Sequence, residues 1–274
     1  MSKFDKMRPK SAFSGLKSAL RCVIIKYISM LLCTECYIRC RKERRMEKKQ
    51  VKSRERVAAH GEVFTAEREV KAMCDLVKPE TERIDSRFLE PACGDGNFLA
   101  EILTRKLAGE QIRKYLKSSY DWERNSLLAL GSLYGVDILA DNCEACRERL
   151  YGLWEEEYHK VCKKECNDDT SAAARFILSR NIVCGNALSL MCVDENGKDT
   201  SEPIVFSEWT FPFNDGRIQR KDYAFDELVN AKDEKETTAE DGQLSLFGET
   251  VRPDEEGKFL KQYITNYRRL ADHE

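Results

Sequence analysis

The amino-acid sequence predicts an α/β protein with a mostly parallel sheet and helices on both faces. Short apolar strands alternate with segments of helical periodicity from about residue 65 onward, an order typical of parallel sheets. Gly94 and Gly96 stand between a strand and a helix, where doubly wound proteins bind ligands. The 274 residues are 42% hydrophobic and 9% aromatic, which is enough for one core and excludes a wholly disordered chain.

The first predicted elements surround these glycines. The segment AEREVKAMCDLV has apolar residues at helical spacing, with Thr65 as its N-cap and Pro79 beyond its end. Phe88 and Leu89 form a short strand before the glycines, and a helix with an apolar face follows them. The charged, Lys- and Tyr-rich stretch 109–124 is predicted to be a helical insertion.

The second half of the chain continues the alternation. Strands are predicted at Tyr134–Ile138 and Asn181–Cys184, with a long helix after the first of them. Further strands are predicted within 203–211 and 223–225, and the composition is acidic and polar from Asn230 onward. The chain is therefore predicted to have three parts. They are a basic N-terminal extension (1–50), a folded domain (51–230) and an acidic tail (231–274).

The net charge of −2 conceals a strong asymmetry along the chain. Residues 1–56 hold 17 Lys/Arg and 5 Asp/Glu, whereas the remaining residues hold 29 basic and 43 acidic side chains. A basic arm is suited to phosphates or RNA, and the acidic remainder is unsuited to gripping nucleic acid unaided. Met46 opens a segment that resembles a bacterial start. Residues 1–45 are therefore either such an arm or an extension outside the folded protein.

Cysteine content and hydropathy predict a cytoplasmic protein. Twelve Cys in a chain of this length, without the spacing of a small disulfide-linked domain, are typical of reduced thiols. The longest apolar stretch, Ala19–Cys33, includes Arg21 and Lys26 and is shorter than the roughly 18 uncharged residues of a membrane helix. No small-residue cleavage site follows it, which disfavours a secretory signal.

Two acidic residues accompany the glycine-rich loop. Glu90 ends the strand before the loop, and Asp137 lies at the tip of the next predicted strand. Because parallel strands end at the same edge of a sheet, both carboxylates are expected in one crevice. There Asp137 can accept hydrogen bonds from both hydroxyls of a ribose, while the glycines let the backbone approach a ligand closely.

The segments Gly61-Glu-Val-Phe-Thr65 and FLEPACGDGNF resemble the N-terminal half of S-adenosylmethionine-dependent adenine-N6 DNA methyltransferases of restriction–modification systems. The resemblance covers about residues 52–230 and implies a Rossmann-like fold. It implies cofactor-binding roles for Phe64, Thr65, Glu90, Ala92, Gly94, Gly96, Asp137 and Ile138. Asn186 stands where the family usually has an Asp, and its side-chain oxygen is expected to meet the adenine amine of the cofactor.

The sequence departs from this family at the catalytic tetrapeptide Asn/Asp-Pro-Pro-Tyr/Phe, which holds the target amine and stacks on the flipped base. The six prolines stand at positions 9, 79, 91, 203, 212 and 253, so there is no Pro-Pro pair. Asn230 lies about where the tetrapeptide would be and is the catalytic candidate, and no room for a target-recognition domain follows it. The sequence therefore supports cofactor binding better than catalysis.

The segment Gln243-Leu-Ser-Leu-Phe247 resembles the pentapeptide with which bacterial DNA-processing proteins bind the replication sliding clamp. Leu246 and Phe247 would fill an apolar pocket of the clamp, beside Leu244, and Gln243 would hydrogen-bond next to them. The alternative is that this segment folds back onto its own domain.

A second pattern combines Cys143-x2-Cys146 with Cys162-x3-Cys166 and His159, which are zinc-ligand types. No tight-turn glycines separate the two cysteine pairs, and the first pair lies at a predicted helix start. No metal site is therefore predicted from them.

Two functions remain open from the sequence. The first is a DNA adenine methyltransferase that binds S-adenosylmethionine and acts on DNA, with a partner subunit supplying target recognition. The second is a catalytically inactive cofactor-binding or DNA-accessory module that docks on a partner subunit or on the sliding clamp. Neither of these two functions involves a membrane.

Overall fold

The structure is a computed structural model that describes residues 22–24, 65–226 and 260–272. Its helices are α1 (Glu67–Asp75), α2 (Lys78–Thr81), α3 (Asn97–Ala108), α4 (Glu110–Arg113), α5 (Ser119–Gly131), α6 (Ala140–Cys162) and α7 (Asp168–Asn181), with 3-10 turns at Lys163–Glu165 and Tyr267–Asp272. In these three ranges, no helix combines the length and the apolar character that crossing a membrane requires.

The strands form two sheets. They are β1 (Cys22–Ile24), β2 (Arg87–Glu90), β3 (Leu133–Asp137), β4 (Ile182–Asn186), β5 (Met191–Val193), β6 (Asp199–Pro203), β7 (Val205–Thr210), β8 (Arg217–Ala224) and β9 (Lys261–Asn266). The first six form one sheet in sequence order, and the last three form a second, antiparallel sheet. Strands β1 to β4 are parallel, whereas β5 and β6 add an antiparallel edge. The predicted α/β class with a mostly parallel sheet is confirmed.

The main core lies between the parallel strands and the helices. Phe88, Leu133 and Ile182 project from the sheet to the same side and join a cluster of buried residues from α1, α3, α5, α6 and α7. These helices all lie on one face, so the sequence prediction of helices on both faces is not borne out for them. The reason is that β2, β3 and β4 step across the sheet in one direction, and right-handed crossovers then place their helices on the same side.

The other face of the sheet is covered differently. Leu89, Tyr134 and Val136 point to this side and form a smaller cluster with Ile204, Phe206 and Phe225. Tyr134 and Phe206 meet edge to face, with ring centroids 5.3 Å apart. The face that the helices leave open is therefore covered by the start of β7 and by the residue that follows β8.

The C-terminal residues return to the fold. The sequence predicts residues 260–272 as part of an acidic tail, but β9 pairs with β8 and the following 3-10 turn buries Tyr267 and Leu270 in the main core. The buried carboxylate of Glu123 accepts hydrogen bonds from Tyr158 Oη (2.7 Å), Arg268 Nη2 (2.8 Å) and Tyr267 Oη. This network ties the C-terminal segment to α5 and α6.

Candidate functional site

The candidate site lies at the edge where the parallel strands end. Glu90 pairs with Gly135 on β3, and Asp137 pairs with Cys184 on β4. Glu90, Asp137 and Asn186 are thus the last residues of three neighbouring strands. The structure brings together the side chains that the sequence predicts for this edge.

A tight loop over residues 91–96 links β2 to α3. The Cys93 amide donates to the Val136 carbonyl (2.9 Å), which holds the loop against β3. Gly94 and Gly96 have φ values of +53° and +85°, in the left-handed region that favours glycine. A Cβ on Gly96 would also lie 2.7 Å from the sulfur of Cys146, so a side chain at this position would have to displace Cys146.

Asp137 fastens this loop to the end of β3. The residue is only 8% exposed, and Oδ2 of its carboxylate accepts from the Gly94 amide at 2.9 Å. Oδ1 accepts from the Leu139 amide (2.9 Å) and from the Asn142 side chain (3.2 Å). A carboxylate offers about four acceptor positions, so a ribose hydroxyl would take the fourth or replace the Gly94 amide.

The remaining residues of the edge differ in exposure. Glu90 is buried at 3% exposure, whereas Ala92 in the loop is exposed. Ile138 is 37% exposed directly after Asp137, and the β5–β6 turn at Gly197 lies beside it. Ile138 is therefore an apolar surface next to the carboxylate, where the flat face of a ligand ring could pack.

The side chain of Asn186 already makes two hydrogen bonds near the turn after β4. Its Oδ1 accepts from the Leu188 amide (3.0 Å), and its Nδ2 donates to Asp199 Oδ1 (2.9 Å). The amide oxygen has two lone pairs, so one remains for the predicted contact with an adenine amine. Leu188 beside it is 96% exposed.

Other predicted site residues fall at or beyond the limits of the description. Thr65 precedes α1, but the N-cap of this helix is Ala66, which makes no side-chain cap, so the prediction of Thr65 as the N-cap is wrong. Phe64, the catalytic candidate Asn230 and the clamp-motif residues Gln243, Leu244, Leu246 and Phe247 lie outside the described residues.

A group of thiols under the loop was not recognised from the sequence. Cys93 contacts the thiols of Cys143 and Cys146, and Cys184 contacts Cys143. The hydrogen bond to Cys93 and burial raise the pKa of Cys143 far above its usual range, and burial raises the pKa of Cys184 to about 11. The pKa of Cys93 is also raised, so Cys93, Cys143 and Cys184 stay protonated at neutral pH. Their separation in the sequence, without a common periodicity, gave no signal.

The zinc ligands considered in the sequence are far apart in the structure. Cys143 and Cys146 lie in the first turns of α6, and Cys162 ends the same helix, about 29 Å away at about 1.5 Å per residue. Within the described parts of the chain, no three or more Cys, His, Asp or Glu side chains are grouped so that they could hold a metal ion.

The groups at this edge of the sheet are of types that can contact a ligand. It offers loop backbone, a buried carboxylate and an exposed apolar side chain. No protein-family model, no curated protein and no solved structure matches this chain. The proposal of function therefore depends on the sequence segments and on this geometry.

Proposed function

We propose that this chain is the cofactor-binding part of an S-adenosylmethionine-dependent DNA methyltransferase, specific for adenine N6, with a Rossmann-like fold. The observation that carries the proposal is the hydrogen bond between the Gly94 amide and Asp137, which joins a glycine-rich βα loop to the acidic end of the neighbouring strand. Doubly wound proteins bind adenosine-containing ligands at such an edge.

The described residues fit the cofactor in three respects. Gly94 and Gly96 keep side chains out of the loop, so a methionine moiety can approach the backbone. Asp137 keeps one acceptor position for a ribose hydroxyl, and Ile138 presents an apolar side chain for the adenine ring. When bound, S-adenosylmethionine would supply an activated methyl group. This chain's residues would hold and orient it.

Calorimetric titration of the full chain with S-adenosylmethionine tests the proposal. We expect Asp137→Ala to weaken binding by about 1.5–3 kcal/mol, because the ribose loses its acceptor. Gly94→Val should weaken binding about tenfold or more, because a branched residue is strained at φ +53°. Asp272→Asn changes an exposed carboxylate on the C-terminal 3-10 turn and serves as the matched control.

Thermal melting of each variant distinguishes lost binding from lost folding. The proposal fails if the wild-type chain does not bind S-adenosylmethionine. It also fails if both site variants fold and bind as tightly as Asp272→Asn.

The second candidate is a cofactor-binding or DNA-accessory module that docks on the sliding clamp through Gln243–Phe247. The resemblance of this segment to the clamp-binding pentapeptide supports it. Surface plasmon resonance with immobilised clamp should detect binding that Leu246→Ala/Phe247→Ala abolishes and Ser245→Ala preserves. Equal binding by both variants would exclude this role.

A further inference from the structure

The predicted helical insertion over 109–124 meets the β7–β8 turn in a patch of aromatic and guanidinium groups. We define this stacking patch as Tyr120, Arg124, Phe211, Phe213 and Arg217. The Arg124 guanidinium lies 5.3 Å from the Tyr120 ring and 4.9 Å from the Phe211 ring. It also donates to the Phe213 carbonyl and to Asn214, each at 3.1 Å, which fixes the turn against α5.

Two rings of the patch remain open to solvent. Tyr120 is 39% exposed and Phe213 is 40% exposed, although both are large apolar side chains. The Arg217 guanidinium lies 4.0 Å from the centre of the Phe213 ring and pairs with Asp215 at 2.7 Å. Because the carboxylate binds the edge of the guanidinium, the outer face stays available for stacking.

A row of cations adjoins these rings in the sequence. Arg113 ends α4, and Lys114 and Lys117 lie between α4 and α5; all three are exposed and precede Tyr120 by three to seven residues. Beyond residue 56 the chain holds more acidic than basic residues, so three exposed cations within seven residues of an exposed ring stand out in this part of the chain. Cations bind phosphates, and exposed aromatic rings stack on flat bases. Nucleic acids contain both of these groups.

The patch is distant from the candidate cofactor site. Trp122, next to the patch on α5, stacks against Tyr158 with centroids 5.9 Å apart. Tyr158 lies about 22 Å further along α6 than Cys143, which sits under the glycine-rich loop, at about 1.5 Å per residue. The patch is therefore a separate surface.

We propose that the stacking patch binds a single-stranded segment of nucleic acid. Bases stack on Tyr120 and on the Arg217–Phe213 pair, and phosphates contact Arg113, Lys114 and Lys117. Stacking on rings and guanidinium planes accepts any base, so binding is independent of sequence. The proposal does not require S-adenosylmethionine binding, so the calorimetry described above can fail while this proposal stands.

Fluorescence anisotropy with a labelled oligothymidylate and the full chain tests affinity. Tyr120→Leu and Phe213→Leu keep apolar bulk but remove the π faces, and each should weaken binding about 5-fold or more. Leu76→Ala, another exposed apolar residue, should have no effect. The double variant Arg113→Gln/Lys117→Gln should reduce the slope of log K against log salt by about 1.4, whereas Lys78→Gln/Lys160→Gln should leave it unchanged.

The segment 1–56 carries 17 Lys/Arg and would compete for the same phosphates, so the contact must be located directly. Photocrosslinking with 5-iodouracil in the oligonucleotide, followed by mass spectrometry, should label peptides that contain Tyr120 or Phe213. Crosslinks confined to 1–56, or patch variants as tight as their controls, would overturn the proposal. Displacement of the oligonucleotide by poly-glutamate at equal charge concentration would also overturn it, because the surface would then bind any acidic polymer.

Discussion

Among the individual residues of this fold, Lys106 is an ionisable residue buried in the core. Its side chain is fully buried, and Nζ donates to the carbonyls of Arg83 (2.5 Å), Ile84 (3.1 Å) and Ser86 (2.7 Å). Burial lowers the pKa of Lys106 to about 7. These hydrogen bonds hold the segment that leads into β2, and they therefore support the strand that ends at Glu90.

Lys106→Met should lower the free energy of unfolding by about 2–5 kcal/mol, because three buried carbonyls lose their donor. The pKa is lower in the folded chain than the ordinary value of 10.5, so the unfolded chain holds more protons between about pH 7 and 10.5. Stability should therefore rise with pH across this window in the wild type, and this part of the rise should be absent in Lys106→Met.

Urea denaturation at pH 7 and pH 9 measures both effects, with Lys78→Met as the exposed control. A variant as stable as this control, or one with the same pH dependence as the wild type, would contradict the role given to Lys106.

At the scale of elements, apolar strands could be predicted and polar ones could not. Phe88–Leu89, Tyr134–Ile138 and Asn181–Cys184 are visible as apolar runs, and β2, β3 and β4 occupy them within one or two residues. The edge strand β6 has mostly exposed residues and the strand β9 alternates exposed with half-buried ones, so neither has an apolar run that marks it as a strand. They form because a neighbouring strand supplies their hydrogen bonds.

The same distinction applies to the candidate site. The placement of Glu90 and Asp137 at the ends of neighbouring strands could be predicted, because parallel strands end at one edge of the sheet. The bond from Gly94 to Asp137 and the thiol contacts of Cys93 could not, since they join residues far apart in the chain with no shared periodicity. No local sequence pattern predicts that residues 260–272 return to the fold, although this return places Tyr267 in the core.

The C-terminal segment should contribute measurably to the stability of the whole core. Tyr267→Phe removes a hydroxyl that donates to the buried Glu123 carboxylate, and we expect a loss of about 1–3 kcal/mol in the free energy of unfolding. Tyr115→Phe, at a half-buried position away from this network, is the control for the same chemical change. If the two variants unfold at the same urea concentration, residues 260–272 are not held through Glu123.

For the whole molecule, the sheet edge at Gly94 and Asp137 is the proposed cofactor site, but the sequence has no Pro-Pro-aromatic loop that would hold a target adenine. Without hydrogen bonds to the amine and stacking on the base, the nitrogen is not placed in line with the methyl group, and several kcal/mol of barrier lowering are lost.

We therefore expect little or no transfer of labelled methyl from S-adenosylmethionine to duplex DNA by this chain alone. Transfer should appear when a partner chain supplies the loop and target recognition, and it should disappear again with Gly94→Val. Robust adenine methylation by the isolated chain would contradict this expectation, and Asn230→Ala would then be the first variant to examine.

Ligand selectivity is the decisive property of the proposed cofactor site, because a glycine-rich loop with an acidic strand end also suits other adenosine-containing ligands. The measurement is a calorimetric titration of the full chain with S-adenosylmethionine, S-adenosylhomocysteine and NAD in parallel. We expect saturable one-to-one binding of S-adenosylmethionine and S-adenosylhomocysteine, and no binding of NAD. Absence of S-adenosylmethionine binding, or tighter binding of NAD, would contradict it.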